Sequence, residues 1–162
     1  MLLRSILFGI FFIANHFIYA SCIGLGCTCT TSATGLAFGS YNPLLNVNVD
    51  NMNTVSVTCS ALIVGLDVSY VIALNPGLNG SFTTSRRMKN GTSNFLNYNI
   101  YTTTARTVVW GDGTSSTATI SDAYLLNLLS VTRNYTAYGR IPSAQNPIPG
   151  SYTDTVTVTV TY

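Results

Sequence analysis

The chain has 162 residues, 47% of them hydrophobic and 7% charged, with seven Lys and Arg against five acidic residues and a net charge of +2. So weak a charge gives no electrostatic hold on nucleic acid or an anionic membrane, and no nucleic-acid partner is expected. The single histidine is His16 and every acid is an aspartate, which leaves no imidazole for a Ser/His/Asp or Cys/His arrangement beyond the N-terminal segment and only scattered carboxylates; the chain reads as no enzyme, with no cofactor.

Met1–Arg4 is a short basic start, and the run from Ser5 to Tyr19 is mostly apolar, with Ile6, Leu7, Phe8, Ile10, Phe11, Phe12, Ile13, Phe17 and Ile18. Ala20 offers a small residue for cleavage, although Ile18 sits where another small residue is preferred. This is the layout of a secretory signal peptide over residues 1–20. The run is short for a membrane span, and Asn15 and His16 interrupt it. Acylation of Cys22 is the rival processing; it calls for an apolar residue such as Leu where Tyr19 stands. Cleavage after Ala20 leaves about 140 residues, one domain able to bury a sizeable core.

All four cysteines, Cys22, Cys27, Cys29 and Cys59, follow that segment. An even number in an exported chain reads as disulfides, with three pairings open. Zinc at Cys27-x-Cys29 would lack a histidine to complete a mixed site, and no metal is expected.

The remainder reads as strands separated by turns. Val55, Val57 and Cys59 alternate with Ser56 and Thr58, which puts Cys59 on an inward face. Leu66, Val68, Tyr70, Ile72 and Leu74 form a second alternating set, ended by Asn75-Pro76-Gly77. Leu96, Tyr98 and Ile100 form a third, introduced by Asn90-Gly91. Thr132 to Tyr138 continues as strand up to Gly139. The run Asp122–Val131 could be a short helix, but its flanks have strand character. Last, Tyr152, Val156, Val158, Val160 and Tyr162 point one way and Thr153, Thr155, Thr157, Thr159 and Thr161 the other, β-branched residues suited to a pleated surface. Many short strands with regular turn signals predict a single all-β sandwich. The final strand has one apolar face, which an earlier segment or another chain must cover.

Three further features read as structural. Trp110-Gly111-Asp112-Gly113 is a turn, one aspartate being too little for calcium. Arg86, Arg87 and Lys89 read as a solvated strand end. The sequons at Asn79, Asn90 and Asn134 are what chance supplies in a chain so rich in Asn and Thr.

Several segments in order carry a resemblance: Cys29-Thr30-Thr31-Ser32-Ala33-Thr34-Gly35-Leu36-Ala37-Phe38-Gly39-Ser40-Tyr41, Val55-Ser56-Val57-Thr58-Cys59, Arg86-Arg87-Met88, Leu96-Asn97-Tyr98-Asn99-Ile100-Tyr101, Trp110-Gly111-Asp112-Gly113, Tyr138-Gly139-Arg140-Ile141-Pro142 and Gly150-Ser151-Tyr152-Thr153-Asp154-Thr155-Val156. Together they resemble the spore coat protein U domain family over residues 29–162. The family includes subunits of archaic-type chaperone–usher pili. The resemblance implies an incomplete immunoglobulin-like β-sandwich lacking its final strand, lent first by a periplasmic chaperone and then by the next subunit. It implies a pairing of Cys29 with Cys59, leaving Cys22 with Cys27. It also implies a strand-acceptor groove along Val156, Val158, Val160 and Tyr162, by β-augmentation. The partners so implied are a periplasmic chaperone, an outer-membrane usher and other pilus subunits. The route is through the periplasm to the cell surface or fimbrium of a Gram-negative bacterium, in cell adhesion and biofilm. Residues 21–28 are a possible donor strand: they span about 26 Å when extended, and Ile23, Leu25 and Cys27 alternate. Gly24, Gly26 and two cysteines weaken them in that role, so a tip or minor subunit that receives a strand and donates none is the other expectation. A freestanding secreted β-sandwich binding module, for example for carbohydrate, is the alternative reading of the whole chain.

Overall fold

A computed structural model describes residues 21–162 except Ile23, Thr92 and Leu128. The expected signal peptide and Ile23 of the possible donor segment lie outside the described residues. The strands are β1 (Ser21–Cys22), β2 (Thr28–Ala33), β3 (Val49–Ser60), β4 (Leu66–Leu74), β5 (Arg87–Asn90), β6 (Asn94–Asn97), β7 (Asn99–Tyr101), β8 (Ile120–Leu126), β9 (Ser130–Ile141) and β10 (Val158–Thr161). Among the described residues the helical element is a 3-10 turn at Pro43–Leu45.

Two sheets face each other. One has the order β2-β3-β9-β7, antiparallel throughout. The other is built on β4. Strand β8 pairs with one of its edges from Leu66 to Ile72. The opposite edge takes β10, with Val158 opposite Leu74 and Thr161 opposite Val71, and then β1, with Ser21 opposite Ser69. Strands β5 and β6 form a separate hairpin. The period-two pattern makes the core: Val55, Val57 and Cys59 of β3 and Val68, Tyr70, Ile72 and Leu74 of β4 are buried, with Ile100, Trp110, Leu126, Ala137 and Ile141. The outer face of the first sheet is a field of hydroxyls and amides: Thr58 bonds Thr132 at 2.8 Å, and Ser56 donates to Asn134 at 2.7 Å.

Several details depart from the sequence reading. Strands β3 and β9 run longer than expected. In place of a short helix, Asp122–Leu126 belongs to β8 and Ser130–Val131 to β9. The third expected strand breaks at Tyr98, where the chain leaves the hairpin and joins the sheet through β7; the Tyr98 amide donates to Arg86 O at 3.1 Å. Gly139 is not a strand end. It lies within β9, and a side chain there would collide with Leu36 and Phe38, which cross over it. Arg86 is the largest correction: it is 0% exposed, not solvated. Its guanidinium is drawn in by the carbonyls of Leu74 and Asn75, where β4 leaves the sheet and its oxygens lack ladder partners. Arg87 behaves differently, its guanidinium lying 4.2 Å over the Phe95 ring.

Candidate binding groove

The two sheets are closed along one side and open along the other. On the closed side, Tyr70 and Tyr135 join hydroxyls at 2.6 Å across the sandwich, and Tyr135 donates to Asp122. Arg133 lies 4.6 Å over the Tyr124 ring. Burial, and then hydrogen bonding to Asp122 and Tyr70, holds the Tyr135 phenol far above its ordinary pKa.

On the open side, residues 152–160 form the margin of one sheet and β2 with residues 34–41 the margin of the other. Tyr152, Asp154, Val156, Val158 and Val160 turn inward and are half-buried, whereas Thr153, Thr155, Thr157, Thr159 and Thr161 are exposed. Backbone direction alternates with the side chains. Thr153 exchanges both main-chain bonds with Lys89, Thr155 O accepts from Leu78, and Thr157 O accepts from Asn75 at 3.1 Å. The N–H and C=O groups of Asp154, Val156 and Val158 therefore point the opposite way, to the open edge. No strand among the described residues pairs with that edge.

Between the margins lies a cavity of about 430 Å³ lined by Ala33, Leu36, Phe38, Val55, Leu74, Met88, Tyr98, Ile100, Ala137, Tyr152, Val156 and Val158, among others. A second cavity of about 670 Å³ shares Leu36, Phe38, Met88 and Tyr152 and continues toward Tyr41, Pro147 and Ile148. The two form one trench with an apolar floor. Val160 packs against the core just beyond the trench. Tyr162, expected on the groove wall, is 43% exposed and is not among the lining residues.

One charged group faces the trench. Asp154 interrupts the apolar row of the last strand, and the sequence reading left it out. Its Oδ1 accepts from the amides of Leu78 (3.0 Å) and Asn79 (3.3 Å) and from the Asn79 side chain, and its Oδ2 accepts from the Tyr98 hydroxyl at 2.8 Å. Burial, then the bond to Asp154, pushes the Tyr98 phenol far up. Behind it, Arg86 donates from Nη1 to Asn99 Oδ1 at 2.8 Å and from Nε and Nη2 to Asn75 O at 2.9 and 2.8 Å. Burial pulls its pKa down to about 10. This network pins residues 75–79 to the margin of the trench. The signal available in the sequence was an aspartate on the inward register of a valine strand, which must find donors.

The cysteines sit below the trench. Cys29 and Cys59 are register partners in β2 and β3 and are bonded, with Cα atoms 4.0 Å apart; Cys22 is bonded to Cys27, with Cα atoms 5.7 Å apart. Asp112 is consumed by its own turn, accepting from the Thr114 amide and hydroxyl at 3.0 and 2.7 Å. Among the described residues no cluster of acids, cysteines or histidines could hold a metal ion.

Residues 18–159 match the family described as Spore Coat Protein U domain. Protein U of Myxococcus xanthus is 32% identical over 153 residues, covering 86% of this chain and 79% of that protein. A chain of the CsuC–CsuE chaperone–tip adhesion subunit pre-assembly complex, from the archaic chaperone–usher Csu pili of Acinetobacter baumannii, superposes with a TM-score of 0.55 at 25% identity; the match covers 84% of this chain and 40% of that one.

Proposed function

The chain belongs to the Spore Coat Protein U domain family, and from that membership we propose that it is a structural or adhesive subunit of a chaperone–usher surface fibre, assembled by donor-strand complementation. The all-β, immunoglobulin-like fold and the likeness to a chain of a chaperone–subunit complex from such pili support the subunit role. The observation that carries the mechanism is the open trench beside residues 152–158. An apolar floor and a row of main-chain donors and acceptors lie along the same unpaired edge. A β-strand from another chain satisfies both requirements at once: its backbone extends the sheet, and its alternate side chains fill the floor. A small rounded ligand would leave the edge unpaired.

The partners in this reading are a periplasmic chaperone that lends the strand during export, an outer-membrane usher, and a neighbouring subunit that replaces the lent strand in the fibre. No step calls for bond chemistry, so the protein acts by binding. The test is co-expression with a periplasmic chaperone of an archaic chaperone–usher system, followed by co-purification. The expected result is a one-to-one complex and a thermal melt of the isolated chain that rises when an apolar strand peptide is added. A chain that is monomeric, melts cooperatively at high temperature and ignores every chaperone and strand peptide would refute strand donation and leave the freestanding binding module.

A further inference from the structure

We propose that the segment 21–28 is a clasp retained by its own domain, not a strand lent to a neighbour, and that it closes the sandwich beyond the end of the groove; this deepens the strand-acceptor reading above and rests on it. The segment is tied down through its described residues. Ser21 and Cys22 pair with Ser69 and Val68 of β4, and the Ser21 amide also donates to Ser69 Oγ at 3.1 Å. The turn that follows closes through Cys27 N to Gly24 O at 3.4 Å and is fastened to the β3–β4 loop by Leu62 N to Leu25 O at 3.1 Å. Gly24 lies against the Leu66 side chain. Cys22 and Cys27 pack against the core.

Reach decides against donation. A lent strand must be extended, and five residue steps of extended chain cover about 17 Å. The Cys22–Cys27 bond holds those Cα atoms 5.7 Å apart. Immediately after it, Cys29 is fixed to Cys59, which removes slack on the other side. While both bonds stand, the segment cannot lie along a second domain.

Position gives the clasp its other role. Strand β1 sits on the edge of β4 that β10 occupies, next in line after Thr161 opposite Val71. Strand β2 sits on the margin of the facing sheet. The turn between them therefore crosses from sheet to sheet on the open side. The trench stops short of it, at the level of Ala33 and Val158, where β2 packs against β10. The clasp lies about five residues further along β4, at Ser69 and Val68, and closes the sandwich beyond the groove. A subunit so built takes a strand at its groove and lends none through this segment.

The experiment uses two forms of the exported chain. One is unaltered, released from its chaperone. The other carries an apolar strand appended after Tyr162 through a glycine-rich turn, so that its groove is filled while residues 21–28 stay native. Filling the groove should raise the melting temperature while the protein stays monomeric; an unchanged melting temperature would sink the groove reading, whatever the clasp does. The filled form, mixed with the unaltered form, can act only as a donor. Native mass spectrometry should then detect no complex, and hydrogen exchange at the Cys27 and Leu62 amides should stay as slow as in β3. A heterodimer with residues 21–28 cross-linked into the partner's trench, or rapid exchange at those two amides, would overturn the clasp while leaving the groove standing.

Discussion

Arg86 and the tyrosines carry the strongest consequences of single residues. Arg86 is fully buried and satisfies the carbonyls of Leu74 and Asn75 and the side chain of Asn99. Arg86→Ala would strand those acceptors, each costing about 1–3 kcal/mol when buried and unpaired. The expected outcome is a loss of about 3 kcal/mol or more, measured as a lower urea midpoint. Arg86→Lys should recover only part of it, because an ammonium cannot reproduce the planar fork. The tyrosines make an alkaline limit. Burial, with donation to Asp154 and Asp122, raises Tyr98 and Tyr135 in the folded state. The unfolded chain ionises them near pH 10. An acid whose folded pKa is raised gives stability that is complete below the unfolded value and is lost as pH rises past it. Melting temperature should hold from pH 8 to 9.5 and fall steadily above about 10. In phenolate absorbance, Tyr98 and Tyr135 should not ionise until the chain unfolds.

At the scale of elements, the final strand makes the sharpest contrast. Val158 is half-buried on the trench wall, and Thr157 beside it is exposed on the other face. Val158→Asp would place an unpaired charge on an apolar floor and should abolish capture by the chaperone. Thr157→Asp should leave capture near normal, since its main-chain bonds to Asn75 do not involve the side chain. Co-purification of each variant checks this. Strands β3, β4 and the last strand were legible because valine, isoleucine and threonine alternate there with a period of two. The β5–β6 hairpin was not, since Arg87-Met88-Lys89-Asn90 has no apolar alternation; only its Asn90-Gly91 turn showed. Arg86 misled for a related reason: its partners are carbonyls at the end of a distant strand, and local sequence carries no trace of them. Asp154 broke the pattern of its strand, and that break was itself the sign of a polar network. The open side of the sandwich was not written in any periodicity. The apolar face of the last strand left open whether an earlier segment or another chain covers it, and only the family resemblance chose between them, because one strand looks the same whether its far edge is paired or bare.

For the whole molecule, the Cys29–Cys59 bond links the first long strand to the centre of its sheet across a sequence separation of 30. A loop of that length contributes about 3.5 kcal/mol in the chain-entropy account. That is a large share of the roughly 5–15 kcal/mol that holds a typical domain together. Replacing both residues with serine should lower stability by about that amount, and an export host lacking disulfide catalysts should yield little folded protein. Peptide mapping without reduction should recover Cys29 linked to Cys59; a Cys27–Cys59 peptide would contradict it. The outer face of that sheet has a further consequence. Thr28, Thr30 and Ser32, then Thr54, Ser56, Thr58 and Ser60, then Ser130, Thr132, Asn134 and Thr136 stand side by side with no ionisable group among them. At the far end of the same face Asp50 pairs with Arg140 and Arg106; between copies of the hydroxyl patch itself there is no Coulomb barrier, so what keeps those patches apart is the water bound to their hydroxyls. Colloidal behaviour should then follow hydration and not ionic strength: sodium chloride should barely change the onset of clouding in light scattering, whereas ammonium sulfate, which competes for that water, should bring it on early.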